Sequence, residues 1–319
     1  MTPIISKRHK LKFYLTVALS SGFFVAIGCL ALVKYQSGDE NTQASGKMLL
    51  LPFVGFGLFL LAIYFVYKYF KNAPVIVIDD SGISFNGKVY PFSELEHIDF
   101  TGKRNFPFFL SYPLEAATLQ FKSGEIKYIF DDMYENAWEM KSLLHKILVD
   151  KKDQNDQALS EAKMRDTEIE NFETFKGNAI LSLRGLALWG LIGFVLFSII
   201  TSPKTHNPLS ISIALSFFLL WFFLSAFTMD YFKLSSRCLI VKNHYLPWRS
   251  KSYPLDEITE IVFETYRKMP NGLRVIKKNF KTKLYLAGTL TDRTWISLKN
   301  KLESYNIHVR NECIYEKMK

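Results

Sequence analysis

Residues 267–283 gather Arg267, Lys268, Arg274, Lys277, Lys278, Lys281 and Lys283, with Val275 and Phe280 among them and Tyr266 just before. Cations at this density do one kind of chemistry, the binding of anions. Three situations fit. The cluster lies against anionic lipid headgroups, where each nearby Lys or Arg adds about 1 kcal/mol; it docks on the acidic first polar domain of the same chain, as an intramolecular pair beside the bilayer; or it is a solvated hairpin that follows the usual basic bias near membranes. An acidic surface exists in the same chain. Residues 229–319 hold 18 Lys and Arg against 9 Asp and Glu, whereas residues 71–150 hold 8 against 12.

No other constellation offers specific chemistry. His9, His97, His145, His206, His244 and His308 lack metal-ligand spacing, and neither a phosphate-cradling glycine loop nor a nucleophile elbow occurs. The pairs Asp79-Asp80 and Asp131-Asp132 sit at expected turns or a helix start, where turn and N-cap roles account for them. Cys29, Cys238 and Cys313 are scattered, so they suggest buried apolar residues and not a disulfide framework or metal knuckle. No catalytic residue, metal or cofactor is expected, and the chain is read as not an enzyme. Nucleic-acid binding is not expected either, because charge alone speaks for it.

The elements that must position the basic run are set by the apolar residues. The 319 residues are 49% hydrophobic and 15% aromatic, and the windows 13–33, 48–67, 185–203 and 207–229 carry no Asp, Glu, Lys or Arg. Each approaches the ~20 residues needed to cross a hydrocarbon core. A basic start of Lys7, Arg8, Lys10 and Lys12 imitates a signal peptide, but the following apolar stretch is too long for one and a second follows directly. The spans pair into two transmembrane hairpins, 13–70 and 178–229. The basic segment 1–12, Lys68, Lys71 and Arg184 place the N-terminus, the polar domains and the C-terminus in the cytoplasm of a multi-pass inner-membrane protein.

Behind each hairpin lies a polar domain, 71–149 and 230–319, joined by a charged, helix-patterned linker 150–177. In the first, PVIVID, GISF, KVYP, LEHIDF, FPFFLSY, ATLQF and EIKYIF read as about seven strands, with Asn86-Gly87 and Lys122-Ser123-Gly124 as hairpin turns. Ala137, Met140, Leu143, Leu144 and Ile147 then give a helix face. In the second, CLIVK, HYLPW, KSYP, ITEIVFETY, LRVIKKN and KLYLA read as strands before a helix with Trp295, Leu298 and Leu302 on one face. KVYPFSELEHIDF and KSYPLDEITEIVF match at Lys88/Lys251, Tyr90/Tyr253, Pro91/Pro254, Glu94/Glu257, Ile98/Ile261 and Phe100/Phe263, and Trp138 answers Trp295. The pattern implies an internal duplication of a hairpin-plus-domain unit.

Asp79, Gly82, Ile83, Pro91, Glu94 and Ile98 in PVIVIDDSGISFNGKVYPFSELEHIDF resemble the opening of bacterial PH-like domains, the pleckstrin-homology superfold, in membrane proteins where a hairpin precedes the domain. Phe92 stands where that family often has tryptophan, and the second segment offers Lys242-Asn243-His244 in place of Asp-x-x-Gly. The resemblance implies two β-barrels, each capped by a C-terminal helix, and a fold without a reaction. The expected role is a membrane-anchored, non-enzymatic interaction or regulatory protein whose domains bind anionic headgroups or a membrane or cytoplasmic protein. The alternative is a small transporter or channel component with accessory domains. Serines rather than ionisable residues in the spans weigh against an ion path.

Overall fold

The computed structural model describes residues 2–38, 46–107, 112–149, 171–201, 208–265 and 269–313. The chain divides into two compact units, Met1–Gln157 and Ala158–Lys319.

Unit 1 starts with strand β1 (Ile4–Ile5) and a wide π-turn (Lys10–Leu15) that feeds helix α1 (Thr16–Gln36), followed by α2 (Gly46–Asn72). Then come β2 (Ile76–Ile78), β3 (Gly82–Phe85) and β4 (Lys88–Pro91), a 3-10 turn (Phe92–Glu94), β5 (Leu95–Asp99), β6 (Lys103–Phe106), β7 (Tyr112–Phe121), β8 (Ile126–Phe130) and α3 (Ala137–Leu148). One antiparallel sheet runs β1-β2-β3-β4. In the other, β5 and β6 pair with successive halves of the long β7, and β8 pairs with β7 as well.

Unit 2 follows a similar order, but between its 3-10 turn and its last helix it has three strands where unit 1 has four, and a further strand follows the helix. It consists of β9 (Glu173–Phe175), α4 (Leu183–Thr201), α5 (Pro208–Ala226), β10 (Asp230–Leu234), β11 (Cys238–Asn243), β12 (Lys251–Pro254), a 3-10 turn (Leu255–Glu257), β13 (Ile258–Thr265), β14 (Asn271–Lys277), β15 (Thr282–Leu286), α6 (Asp292–Ser304) and β16 (His308–Asn311). Its sheets run β9-β10-β11-β12 and β15-β14-β13-β16, antiparallel except for β13 with β16. Both sheets and α6 share one core, in which Trp295 packs edge-on against Phe263 at 4.8 Å and near Phe232 at 5.8 Å.

Lys10–Gln36, Met48–Asn72 and Leu183–Thr201 are long and apolar enough to cross a membrane, and Ile211–Ala226 is a shorter apolar helix. Three such helices are compatible with a membrane location. Leu19, Phe23, Leu30, Phe53, Leu60, Phe194 and Ile200 face outward from them, an apolar surface that water would not tolerate and lipid would. Between α1 and α2, Phe24 stacks on Phe65 at 5.0 Å.

The expected closed barrels are not formed. Among the described residues no ladder joins the two sheets of either unit. Pro91 and Pro254, which have no N–H to donate, end β4 and β12, and the chain goes straight into a 3-10 turn. The repeated motif therefore falls on one local structure in both units: strand, 3-10 turn, strand.

Several expectations need correction. HYLPW is a loop between β11 and β12, since Pro247 breaks the ladder there. Of FPFFLSY, Phe106 ends β6 and Tyr112 begins β7, while residues 108–111 lie outside the described residues. Segment 1–12 is more than a charged leader. Ile4 and Ile5 pair with Ile78 and Val77, and Asn136 accepts from Lys7 N at 2.7 Å while donating to Ile5 O at 2.9 Å. The linker likewise ends in β9, which pairs with β10, while its expected helical part lies outside the described residues.

The counterpart of Asp79 is Ser235, not Lys242-Asn243-His244. Asp79 Oδ1 accepts from Ser81 N and Gly82 N at 2.8 and 3.1 Å, and Ser235 Oγ accepts from Arg237 N and Cys238 N at 3.2 and 3.0 Å. Trp295 answers Ala137, because Ala137, Met140 and Leu144 recur in spacing as Trp295, Leu298 and Leu302, all buried; Trp138 is one position off and only half-buried. Asp131 and Asp132 lie in a turn, one of the two places expected for them, and do not cap α3, whose N-cap is Asn136. Asp131 meets the buried Lys141 at 2.5 Å, and Asp132 is bound by Lys12.

Candidate functional site

The basic run resolves into residues with different fates. Arg267 and Lys268 lie outside the described residues. Arg274, on β14, is 1% exposed, and Glu264 Oε1 accepts from its Nε at 3.0 Å and its Nη2 at 2.7 Å. It is therefore a structural ion pair and not an anion-binding surface residue. Its charge is tolerated inside only because it is paired, and removing either partner of such a pair costs about 3–5 kcal/mol.

Lys277 ends β14 and bridges to Glu257 at 2.5 Å, while Lys278, Lys281 and Lys283 are exposed. The turn that carries them is built by the backbone. Phe280 N donates to Lys277 O at 2.8 Å, Lys277 N to Lys281 O at 3.0 Å, and Lys278 N to Glu257 O at 2.9 Å. Unit 1 has the same turn, with Gly124 N donating to Phe121 O, Phe121 N to Glu125 O and Lys122 N to Glu94 O. The left-handed position falls to Gly124 (φ 81°) in unit 1 and to Phe280 (φ 61°) in unit 2. A side chain there costs about 1–2 kcal/mol, so unit 2 carries an aromatic where glycine is the easier choice.

The turn lies at the end of unit 2 away from α5. Gly288 N donates to Thr228 O at 2.8 Å and Ala287 N to Asn271 O at 3.0 Å, which ties the start of β14 to the residues that follow α5. The seven residues of β14, at ~3.3 Å each, then carry Lys277 about 20 Å along the strand from that level. Beside the turn lies an open cleft of about 380 Å³ lined by Asp256, Glu257, Lys277, Lys278 and Asn279. Lys283 sits further back, where its charge helps Asn243 and Arg249 to lower the Asp230 carboxyl against burial.

At the helix end, Asp230 is fully buried, and burial pushes its carboxyl up to about 6. Asn243 Nδ2 donates to Asp230 Oδ1 at 2.8 Å and to Ala226 O at 2.8 Å, and Arg249 Nη2 donates to Asp230 Oδ2 at 3.1 Å. Burial also holds His244 below its usual value, with Lys176 acting in the same direction. Among the described residues no three of His, Cys, Asp and Glu converge as metal ligands would.

Sequence reasoning did not single out Trp248, which is 74% exposed beside Arg249. Pro247 was the available signal, since a proline next to an aromatic reads better as a turn than as a strand. No protein-family model and no curated protein matches the chain, so the positions described above carry the functional reading by themselves.

Proposed function

We propose that the protein is a membrane-anchored, non-enzymatic interaction protein that offers the basic turn Lys277–Lys281 of unit 2 to an acidic protein partner. The observation that carries this is the position of the turn. Lys278 and Lys281 are exposed on a turn about 20 Å along β14 from the end of α5. That exceeds two Debye lengths at physiological salt, so headgroups at the level of the helix end are largely screened from it. Phe280 in a left-handed conformation adds an aromatic to the turn at an energetic cost that glycine would avoid.

In this reading α1, α2, α4 and α5 are four spans in the inner membrane, with the termini and both units in the cytoplasm. The two units are PH-like repeats of one ancestral hairpin-plus-sheet module. The shared helical pair, the three strands that follow it and the strand, 3-10 turn, strand motif at Lys88–Pro91 and Lys251–Pro254 support the duplication. The buried pairs Asp131–Lys141 and Glu264–Arg274 serve stability and no reaction.

Full-length protein in neutral-lipid nanodiscs should bind a fluorescent polyglutamate peptide, with affinity falling as salt rises. Lys278→Glu with Lys281→Glu should weaken it roughly tenfold, about 1.4 kcal/mol. An affinity unmoved by the double reversal would overturn the turn as the site.

A further inference from the structure

We infer that the Pro247-Trp248 turn of unit 2 is an interfacial anchor that lies in the headgroup region of the bilayer beside α4 and α5. Its position follows from its fastenings. The loop leaves β11 at Asn243, which pairs with Asp230 just past α5 and whose side chain donates to Ala226 O, the last residue of that helix. Asn243 Oδ1 accepts from Tyr245 N and Leu246 N, both at 3.0 Å.

Tyr245 is then set between the two helices. Its hydroxyl accepts from Trp189 Nε1 of α4 at 2.9 Å and donates to Ala179 O at 3.0 Å. Its ring lies 5.8 Å from that of Phe222 of α5. Arg249 closes the other side, donating to Phe227 O at 3.1 Å with its guanidinium 5.0 Å above the Phe227 ring. Arg249 N donates to Leu246 O at 2.9 Å, which makes a β-turn with Pro247 and Trp248 at its tip.

A hydrogen-bonded turn fastened at the end of two apolar helices holds a large indole that is 74% exposed. The occupant follows from continuity: Trp189 and Phe223 on the helices and Phe227 just past α5 are partly exposed beside it, and the loop from His244 to Lys251 has basic but no acidic residues. Tryptophan with adjacent cations is the composition that the membrane–water boundary favours. Unit 1 has no such device, because there the equivalent connection is the two-residue turn Asn86-Gly87, with Asn86 likewise tied to Val75 beyond α2. The anchor is thus a property of unit 2 alone, and it is independent of the basic turn at the far end of the unit.

Tryptophan fluorescence of the full chain in liposomes tests this, with the Trp248 signal taken as wild type minus Trp248→Phe. The component should be blue-shifted, quenched by lipids brominated near the headgroup end of the acyl chain, and quenched less by lipids brominated deeper. A red-shifted component quenched by aqueous iodide and untouched by brominated lipid would overturn the anchor. So would a component shielded from both quenchers, which would point to a second copy or another protein on the turn. The substituted chain should keep its thermal stability, since the indole is mostly exposed.

Discussion

Asp230 illustrates how a single carboxylate couples unit 2 to its helices. It pairs with Arg249 and Asn243, with Lys283 near enough to act on its charge, yet burial dominates and raises it from 3.8 to about 6. A raised carboxyl means that the folded chain binds a proton in a window where the unfolded chain has lost it. Stability from this group is therefore present below about pH 4 and declines as pH rises toward 6. Over that window the loss should reach up to roughly 3 kcal/mol. Thermal unfolding in detergent should show wild type losing stability against Asp230→Asn between about pH 4 and 6.5, and parallel pH profiles would show that Asp230 is not the group responsible. At this scale the sequence disclosed charge but not pairing. Arg274 belongs to a visibly basic run, yet its partner Glu264 lies across a ladder that no local pattern announces.

Elements were legible where a pattern is local and opaque where it depends on a distant partner. The KxYP motif specifies its strand and 3-10 turn by itself, through a buried tyrosine and a proline that ends the strand, and it does so at Tyr90 and Tyr253 alike. Strands β1 and β9 are only two and three residues long; each forms by adding to a sheet edge built from residues beyond the helical pair, so no periodicity could reveal it. The α1–α2 contact is a further case. A Cβ on Gly28 would lie 2.8 Å from Phe59 Cε1 and 3.0 Å from Gly55 O, whereas one on Gly22 would meet nothing within 4 Å. Both glycines look alike in the sequence, but only Gly28 lets the helices approach. Gly28→Leu should lower stability in detergent by about 1–3 kcal/mol, and Gly22→Leu should be close to neutral. Equal effects of the two would show that the close contact at Gly28 does not hold the pair.

For the whole molecule, the apolar windows pointed to a membrane location, and the three long apolar helices with their outward-facing Leu and Phe are compatible with one. The proposed orientation is argued from cations near the helix ends. Lys68 lies over Tyr64 at 5.6 Å and Lys71 over Tyr67 at 5.7 Å, the arrangement of side chains that snorkel at one boundary. Arg184 sits at the start of α4 and packs beside Gly288, which ties that helix start to the sheets of unit 2. The proposed orientation makes a separate expectation for each unit: the far end of α1 outside the cell, and the basic turn of unit 2 in the cytoplasm. Single-cysteine variants in a background lacking Cys29, Cys238 and Cys313 separate the possibilities. Ser37→Cys should react with an impermeant maleimide in intact cells, and Lys278→Cys only after the membrane is opened. Reaction of Lys278→Cys in intact cells would reverse the orientation and remove cytoplasmic proteins as partners of the turn.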